Sequence, residues 1–250
     1  MPSSEAPATV ATGRPAVVLV PGMEGSDRLF YRQLPLLARH FTTASVSLRA
    51  DATTMEELID DLDRAVKNID APGGRVIVVG ESFGGAVALS YALARPERVQ
   101  ALVVLNSFPY FAPRIRLRLA RNLLRLIPVG AMAFVRRLTA ARLHSAHTHR
   151  NDIARFMELT RQMDRRGYLN RLRMLEAYDV RPRLGEIRVP ALFLASECDR
   201  LVPSVAQARL MARLVSGARV QILEGHGHIC LIAPDVDLSA ILRTWMSTWK

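Results

Sequence analysis

Cysteine is scarce: Cys198 and Cys230 are the only two in 250 residues, so the fold does not rest on a disulfide framework and both thiols read as packing residues. Apolar runs are short. None reaches the roughly 18 to 20 residues needed to cross a bilayer. Residues 1–13, MPSSEAPATVATG, have neither a basic start nor an apolar stretch of signal-peptide type, and read as a disordered tail on a cytoplasmic protein. No internal repeat and no low-complexity linker interrupts the chain, which is long enough for one buried core, or one core with an insertion. His144, His147 and His149 follow no zinc-ligand spacing, so they read as a solvated helix end or loop, and neither a metal nor a cofactor is expected.

Half of the residues are hydrophobic, and their order is that of a globular α/β protein. Strand signals lie at Pro15–Val20, Thr42–Leu48, Arg75–Val79, Val99–Leu105, Pro190–Ala195 and Ala218–Leu223. Helix signals alternate with them. Asp27 to Arg39 is amphipathic but must kink or split at Pro35; Thr54-Met55-Glu56-Glu57 has the form of a capping box; Ala86 to Ala94 is helix-forming up to Pro96. Two more helices are expected over Pro203–Val215 and from Asp235 to about Trp249. This alternation predicts a mostly parallel sheet of about six strands with helices on both faces.

The alternation breaks after Asn106. From Ser107 to Gly185 no strand signal appears, and amphipathic helical stretches lie around Ile115–Ile127, Ala131–Leu143, Ile153–Arg165 and Tyr168–Ala177. Residues 107–185 are therefore expected to be a helical insertion in a core made of 14–106 and 186–250.

In an open parallel sheet, ligands bind at the carboxyl ends of the strands. After Arg75–Val79 comes Gly80-Glu81-Ser82-Phe83-Gly84-Gly85, a G-x-S-x-G between strand and helix. Small residues there let the backbone close around a strained serine whose hydroxyl projects above the sheet, so Ser82 is a candidate nucleophile. After Pro190–Ala195 come Ser196-Glu197-Cys198-Asp199, and after Ala218–Leu223 come Glu224-Gly225-His226-Gly227-His228. A serine hydroxyl needs an imidazole to take its proton, and the imidazole needs a carboxylate to fix its tautomer. Glu197 or Asp199 and His226 or His228 can fill these roles. Backbone N–H groups of Met23, in the loop Pro21-Gly22-Met23-Glu24-Gly25-Ser26, and of Phe83 are the candidate oxyanion donors.

With these motifs in chain order, the sequence resembles the α/β-hydrolase superfamily. Its Pro-Gly-Met-Glu-Gly-Ser loop and Gly-Glu-Ser-Phe-Gly elbow are more weakly similar to an esterase and acyltransferase group that includes the phytyl ester synthases. The resemblance implies a catalytic triad of Ser82, Asp199 and His228: in that pattern an aspartate is followed by an apolar pair and proline, here Arg200-Leu201-Val202-Pro203, and a glycine immediately precedes the histidine. It implies a serine hydrolase that cleaves a carboxylic ester or thioester of an apolar acyl group through an acyl-enzyme. An acyltransferase with an alcohol acceptor and a non-catalytic binding protein of the same fold are the alternatives. Glu24 and Glu81 flank this machinery and read by default as solvated or ion-paired carboxylates.

The insertion is expected to act as a lid, with Phe108, Tyr110 and Phe111 lining the substrate crevice. It also carries the charge. Between Ser107 and Gly185 there are 17 arginines and no lysine against five acids, a net of +12, which leaves −1 for the rest of a chain whose total is +11. No aromatic interleaving accompanies these arginines, so nucleic acid is not expected. One reading is a solvated face whose arginine stems cover apolar surface; another is contact with an anionic membrane surface or acyl carrier, with Arg114, Arg118, Arg121 and Arg125 close together on one helix.

Overall fold

Every residue of the first strand, β1 (Ala16–Val20), is buried, which an unbroken apolar run achieves when both faces of its sheet are covered. The computed structural model describes residues 13–111, 118, 119, 122, 143–161 and 163–249. After β1 come α1 (Gln33–Leu37), β2 (Thr42–Ser45), α2 (Met55–Asn68), β3 (Val76–Glu81), α3 (Phe83–Ala94) and β4 (Val99–Leu105). Then follow α4 (Arg150–Leu159), α5 (Arg165–Ala177), β5 (Ala191–Ser196), α6 (Ser204–Leu214), β6 (Arg219–Leu223) and α7 (Leu238–Met246). The six strands form one sheet in the order β2-β1-β3-β4-β5-β6, and every pairing is parallel.

Side-chain alternation along each strand builds two cores. Val18, Val20, Val76, Val78, Leu102, Val104 and Phe193 pack with α2 and α3, while Val17, Leu19, Ile77, Val79, Val103 and Leu105 pack with Leu37, Leu238, Leu242 and Trp245. The order reverses between β1 and β3, so the loop after β1 and the turn after β3 stand side by side at one crevice. That is where Met23 and Ser82 lie.

Local signals act as their chemistry demands. The Thr54 hydroxyl accepts from the Glu57 N–H at 3.3 Å and the Glu57 carboxylate accepts from the Thr54 N–H at 3.0 Å, closing the capping box of α2. The Asp27–Arg39 stretch is split, with a 3-10 turn at Asp27–Phe30 and Pro35 tolerated in the first turn of α1.

The expected stretches at Ile153–Arg165 and Tyr168–Ala177 are α4 and α5, each starting three residues earlier. Asp164 caps α5 by accepting from the N–H groups of Arg166 and Gly167. The tail and the helical stretches Ile115–Ile127 and Ala131–Leu143 lie outside the described residues, apart from Gly13, Arg118, Leu119, Asn122 and Leu143. So do Arg114, Arg121 and Arg125. Several other arginines are occupied within the protein: Arg155 lies 3.9 Å over the Tyr31 ring, Arg181 3.7 Å over Tyr110, and Arg183 pairs with Glu186 at 2.8 Å. Among the described residues, no helix is long and apolar enough to cross a membrane.

Candidate active site

Ser82 joins β3 to α3 with φ 52° and ψ −119°, a conformation that costs a non-glycine residue energy and must be held by its surroundings. Glycine makes the holding possible. A Cβ on Gly80 would run into the Gly84 carbonyl, and one on Gly84 into the carbonyls of Val20 and Pro21 at the end of β1. The Ser82 N–H donates to the Leu105 carbonyl at 2.9 Å, and the Ser107 hydroxyl donates to the Ser82 carbonyl at 2.6 Å. The turn is thus clamped from β4 while its side chain is left to the crevice.

The loops after β5 and β6 converge on that side chain. His228 Nε2 lies 3.0 Å from Ser82 Oγ, and His228 Nδ1 lies 2.7 Å from Asp199 Oδ2. The same Asp199 oxygen accepts from the Ser204 hydroxyl, and Oδ1 accepts from the N–H groups of Leu201 at 2.8 Å and Val202 at 3.0 Å. Burial alone would raise the Asp199 carboxyl, but His228, Ser204 and Val202 outweigh it and hold the group below the usual carboxylate range. Burial opposes protonation of His228, yet Asp199, with Glu81 and Glu24 behind it, moves the imidazole above its ordinary value.

The two open pairs separate in space. His226 turns away from Ser82, with Nδ1 2.9 Å from the Ser145 hydroxyl. Glu197 is exposed and accepts from the Gly225 N–H at 3.0 Å.

Asn106, to which the sequence assigned no role, ties these loops together. Its Nδ2 donates to the His228 carbonyl at 2.8 Å and to Ser196 Oγ at 2.9 Å, while its Oδ1 accepts from the Ser196 N–H at 2.7 Å. Its positive φ of 48° suits a residue type that tolerates the left-handed region. An asparagine ending a buried strand was the available signal.

Phe83 opens α3, so its N–H is one that a helix leaves without an intrahelical partner. Met23 sits across from it in the loop after β1. That loop is fixed from α5: buried Arg171 donates from Nη1 to the Met23 carbonyl at 2.9 Å and from Nη2 to the Leu48 carbonyl at 2.5 Å. Gly25, at φ 73°, gives the guanidinium room, since a Cβ there would collide with it. Replacing Arg171 by methionine keeps the stem but leaves both carbonyls unpaired. The expected result is a loss of about 2–3 kcal/mol in urea unfolding, with kcat falling more than KM rises because the loop that carries Met23 into the crevice loosens.

The crevice has a volume of about 110 Å³ and is lined by Met23, Glu24, Glu81, Ser82 and His228 on the core side. Leu143, Phe156 and Tyr168 reach it from the segment between β4 and β5, and Leu29, Leu201, Ile229, Leu231 and Ile232 add to its apolar wall. Phe108, Tyr110 and Phe111, expected to line the substrate crevice, are not among the residues that line this one. Phe108 packs edge-on against Phe111 at 4.9 Å and Tyr178 at 6.3 Å in the core beside α3, and Tyr110 is covered by Arg181. The chain turns inward there, and the nearest aromatics in sequence serve packing.

Glu24 and Glu81 depart from their default reading. Both line the crevice, and among the described residues neither carboxylate has a hydrogen bond or an ion pair. Burial, offset in part by His228 and reinforced by Glu24 and Asp199, pushes the Glu81 carboxyl up to about 7.

Neither thiol joins the site. Cys198 is exposed, and Cys230 is buried, its thiol pushed up to about 12 by that burial. The three neighbouring histidines also part: His144 stacks edge-on against Phe156 at 5.1 Å, His149 precedes α4, and His147 lies 2.5 Å from Asp235.

Comparison with known proteins places this geometry. Residues 17–240 match the model of the alpha/beta hydrolase family. The protein named "Putative carbamate hydrolase RutD" from Caulobacter sp. (strain K31) is 30% identical over 248 residues, covering 93% of this chain and 91% of the relative; its namesake from Serratia proteamaculans (strain 568) is 27% identical over 247 residues, covering 93% and 91%. Among solved structures, the enol-lactonase from Burkholderia xenovorans LB400 superposes with a TM-score of 0.80 at 21% identity, covering 94% of this chain and 92% of that one. A thermophilic esterase from Thermogutta terrifontis gives 0.80 at 21% identity, with coverages of 93% and 89%. With a parallel sheet, a strained serine after β3 and a family match spanning nearly all of both, the chain belongs to the alpha/beta hydrolase family and is an enzyme.

Proposed function

We propose that the protein hydrolyses a small carboxylic ester or thioester through an acyl-enzyme on Ser82, with His228 as the base and Asp199 as its partner. The observation that carries this reading is the unbroken line from Ser82 Oγ through His228 to Asp199, at 3.0 and 2.7 Å, opening on a crevice with an apolar wall. Ser82 Oγ attacks the acyl carbon as its proton passes to His228 Nε2, and the oxyanion is received by the N–H groups of Met23 and Phe83. The alcohol or thiol leaves with the proton from His228. Water then attacks the acyl-enzyme, giving one proton to His228, which returns it to Ser82 Oγ as the carboxylic acid departs.

Two features narrow the substrate. A crevice of about 110 Å³ suits a short acyl group, since pockets for drug-sized ligands run to about 300–1,000 Å³. Leu143, Phe156 and Tyr168 support a lid role for residues 107–185, because they are the part of that segment that meets the crevice.

Glu24 and Glu81 set its charge. An anionic acyl group is repelled beside Glu24 and, above its raised value of about 7, an ionised Glu81, so at about pH 8 p-nitrophenyl hemisuccinate is expected to show a kcat/KM at least about tenfold below that of p-nitrophenyl pentanoate. The relatives named for carbamates point to a second acyl class that the same serine can attack. The crevice favours a neutral carbamate ester over a carbamate anion for the same reason. A chain-length panel of p-nitrophenyl esters and acyl thioesters, with and without an added alcohol, tests the proposal. Short-chain hydrolysis that persists with alcohol present supports it; products found only as new esters would make the protein an acyltransferase, and no turnover would favour a binding protein.

A further inference from the structure

On the side of the loop after β6 that faces away from Ser82, three side chains from distant parts of the chain bring one ligand atom each to a common point. His147 comes from the segment before α4, and His226 and Asp235 come from the loop between β6 and α7. One ligand atom of each lies within 4.8 Å of the other two. Asp235 Oδ2 is 2.5 Å from His147 Nδ1 and 3.6 Å from His226 Nε2, and the imidazole rings are 5.2 Å apart.

His226 is the informative member. It is only 7% exposed, and its Nδ1 lies 2.9 Å from the Ser145 hydroxyl, which also accepts from the Gly227 N–H at 3.2 Å. In the tautomer whose Nδ1–H donates to Ser145, Nε2 presents its unshared pair to the Asp235 carboxylate, 3.6 Å away. A cation held between that nitrogen and the carboxylate oxygen satisfies both, and burial disfavours a second proton on the imidazole. A polar group that fixes the other ring nitrogen, here the Ser145 hydroxyl, is the usual partner of a metal-binding histidine.

We propose that His147, His226 and Asp235 form a binding site for a divalent transition metal of the zinc class. Two imidazole nitrogens and one carboxylate oxygen suit that class, and a hard ion such as magnesium or calcium would call for more oxygen ligands. Bonds of about 2.0–2.1 Å in a tetrahedral site separate ligand atoms by roughly 3.3 Å. The His226–Asp235 pair already spans such a distance. His147 and Asp235 must open by less than about 1 Å, and both side chains are about half exposed and free to do so.

The placement gives the ion a consequence. One ligand belongs to the segment that sends Leu143 and Phe156 into the crevice, and another lies two residues from His228. A bound ion therefore clips that segment to the histidine loop on the side away from the reacting atoms. It stabilises the arrangement without touching substrate.

Titration of the chelator-treated full chain with Zn²⁺ in a calorimeter, and with Co²⁺ followed by visible absorption, tests this. One ion is expected to bind with Kd on the order of micromolar or tighter, raising Tm. His147→Ala and Asp235→Asn, both at exposed positions, are each expected to weaken binding by about tenfold or more and to abolish the Tm shift. No binding by the wild-type chain at 100-fold this concentration, or binding that both variants leave unchanged, would overturn the site.

Discussion

Replacing Ser82 by alanine is expected to lower kcat/KM for an activated short-chain ester by about 10³-fold or more, with the fold intact. The hydroxyl contributes nothing to the clamp of the turn, which is made by backbone groups with Leu105 and Ser107. Its loss therefore removes the nucleophile alone. His228→Ala should be about as damaging, and the double variant little worse than either single one, because the residues act as a unit. His226→Ala separates the two histidines. It lies away from Ser82 and is expected to keep most activity. If His226→Ala abolished turnover and His228→Ala did not, the base would be misassigned. Steady-state kinetics on the purified variants, with circular dichroism as the check on folding, decide this.

Gly84→Ala is expected to produce the second large effect, this time on stability. By helix propensity alone the change should stabilise α3 by about 1 kcal/mol. Packing reverses the sign. The new Cβ would meet the carbonyl oxygens of Val20 and Pro21, backbone atoms at the end of β1 that cannot rotate aside. Relief requires β1 and α3 to separate, so a loss of about 3 kcal/mol is expected in urea unfolding. The same separation moves Met23 away from Phe83, so residual folded enzyme should also lose kcat. Gly73→Ala is the control: its φ is 66°, but nothing lies within 4 Å of the added carbon, and the expected loss is about 1 kcal/mol. Equal unfolding midpoints for Gly84→Ala and the wild-type chain would contradict the packing at the elbow.

The parts of this enzyme legible in the sequence are those in which local and global demands coincide. The apolar runs of β1, β3, β4 and β5 became strands buried on both faces of the sheet, while the edge strands β2 and β6 carry polar residues. Thr54 and Glu57 close a capping box at their own helix end. Gly80, Ser82 and Gly84 are legible because a strained serine needs glycine on both sides. What escaped prediction depends on contacts between residues far apart in the chain. Nothing local marks Arg171 as the residue that holds Met23, 148 positions away. Asn106 reaches His228 across 122 positions. Phe108 follows β4 closely in sequence, yet its ring packs with Phe111 and Tyr178, residues that only the fold brings to it. His147 looked like one of three local histidines until the fold carried it to Asp235.

The central claim is that Ser82 is an activated nucleophile, and covalent labelling with a fluorophosphonate tests it most directly. Mass spectrometry of the labelled chain should find one phosphonyl group, on the peptide that contains Gly80-Glu81-Ser82-Phe83-Gly84, at a rate that falls by orders of magnitude in His228→Ala. A folded protein that stays unlabelled, or one that is labelled at another serine while Ser82 remains free, would contradict it.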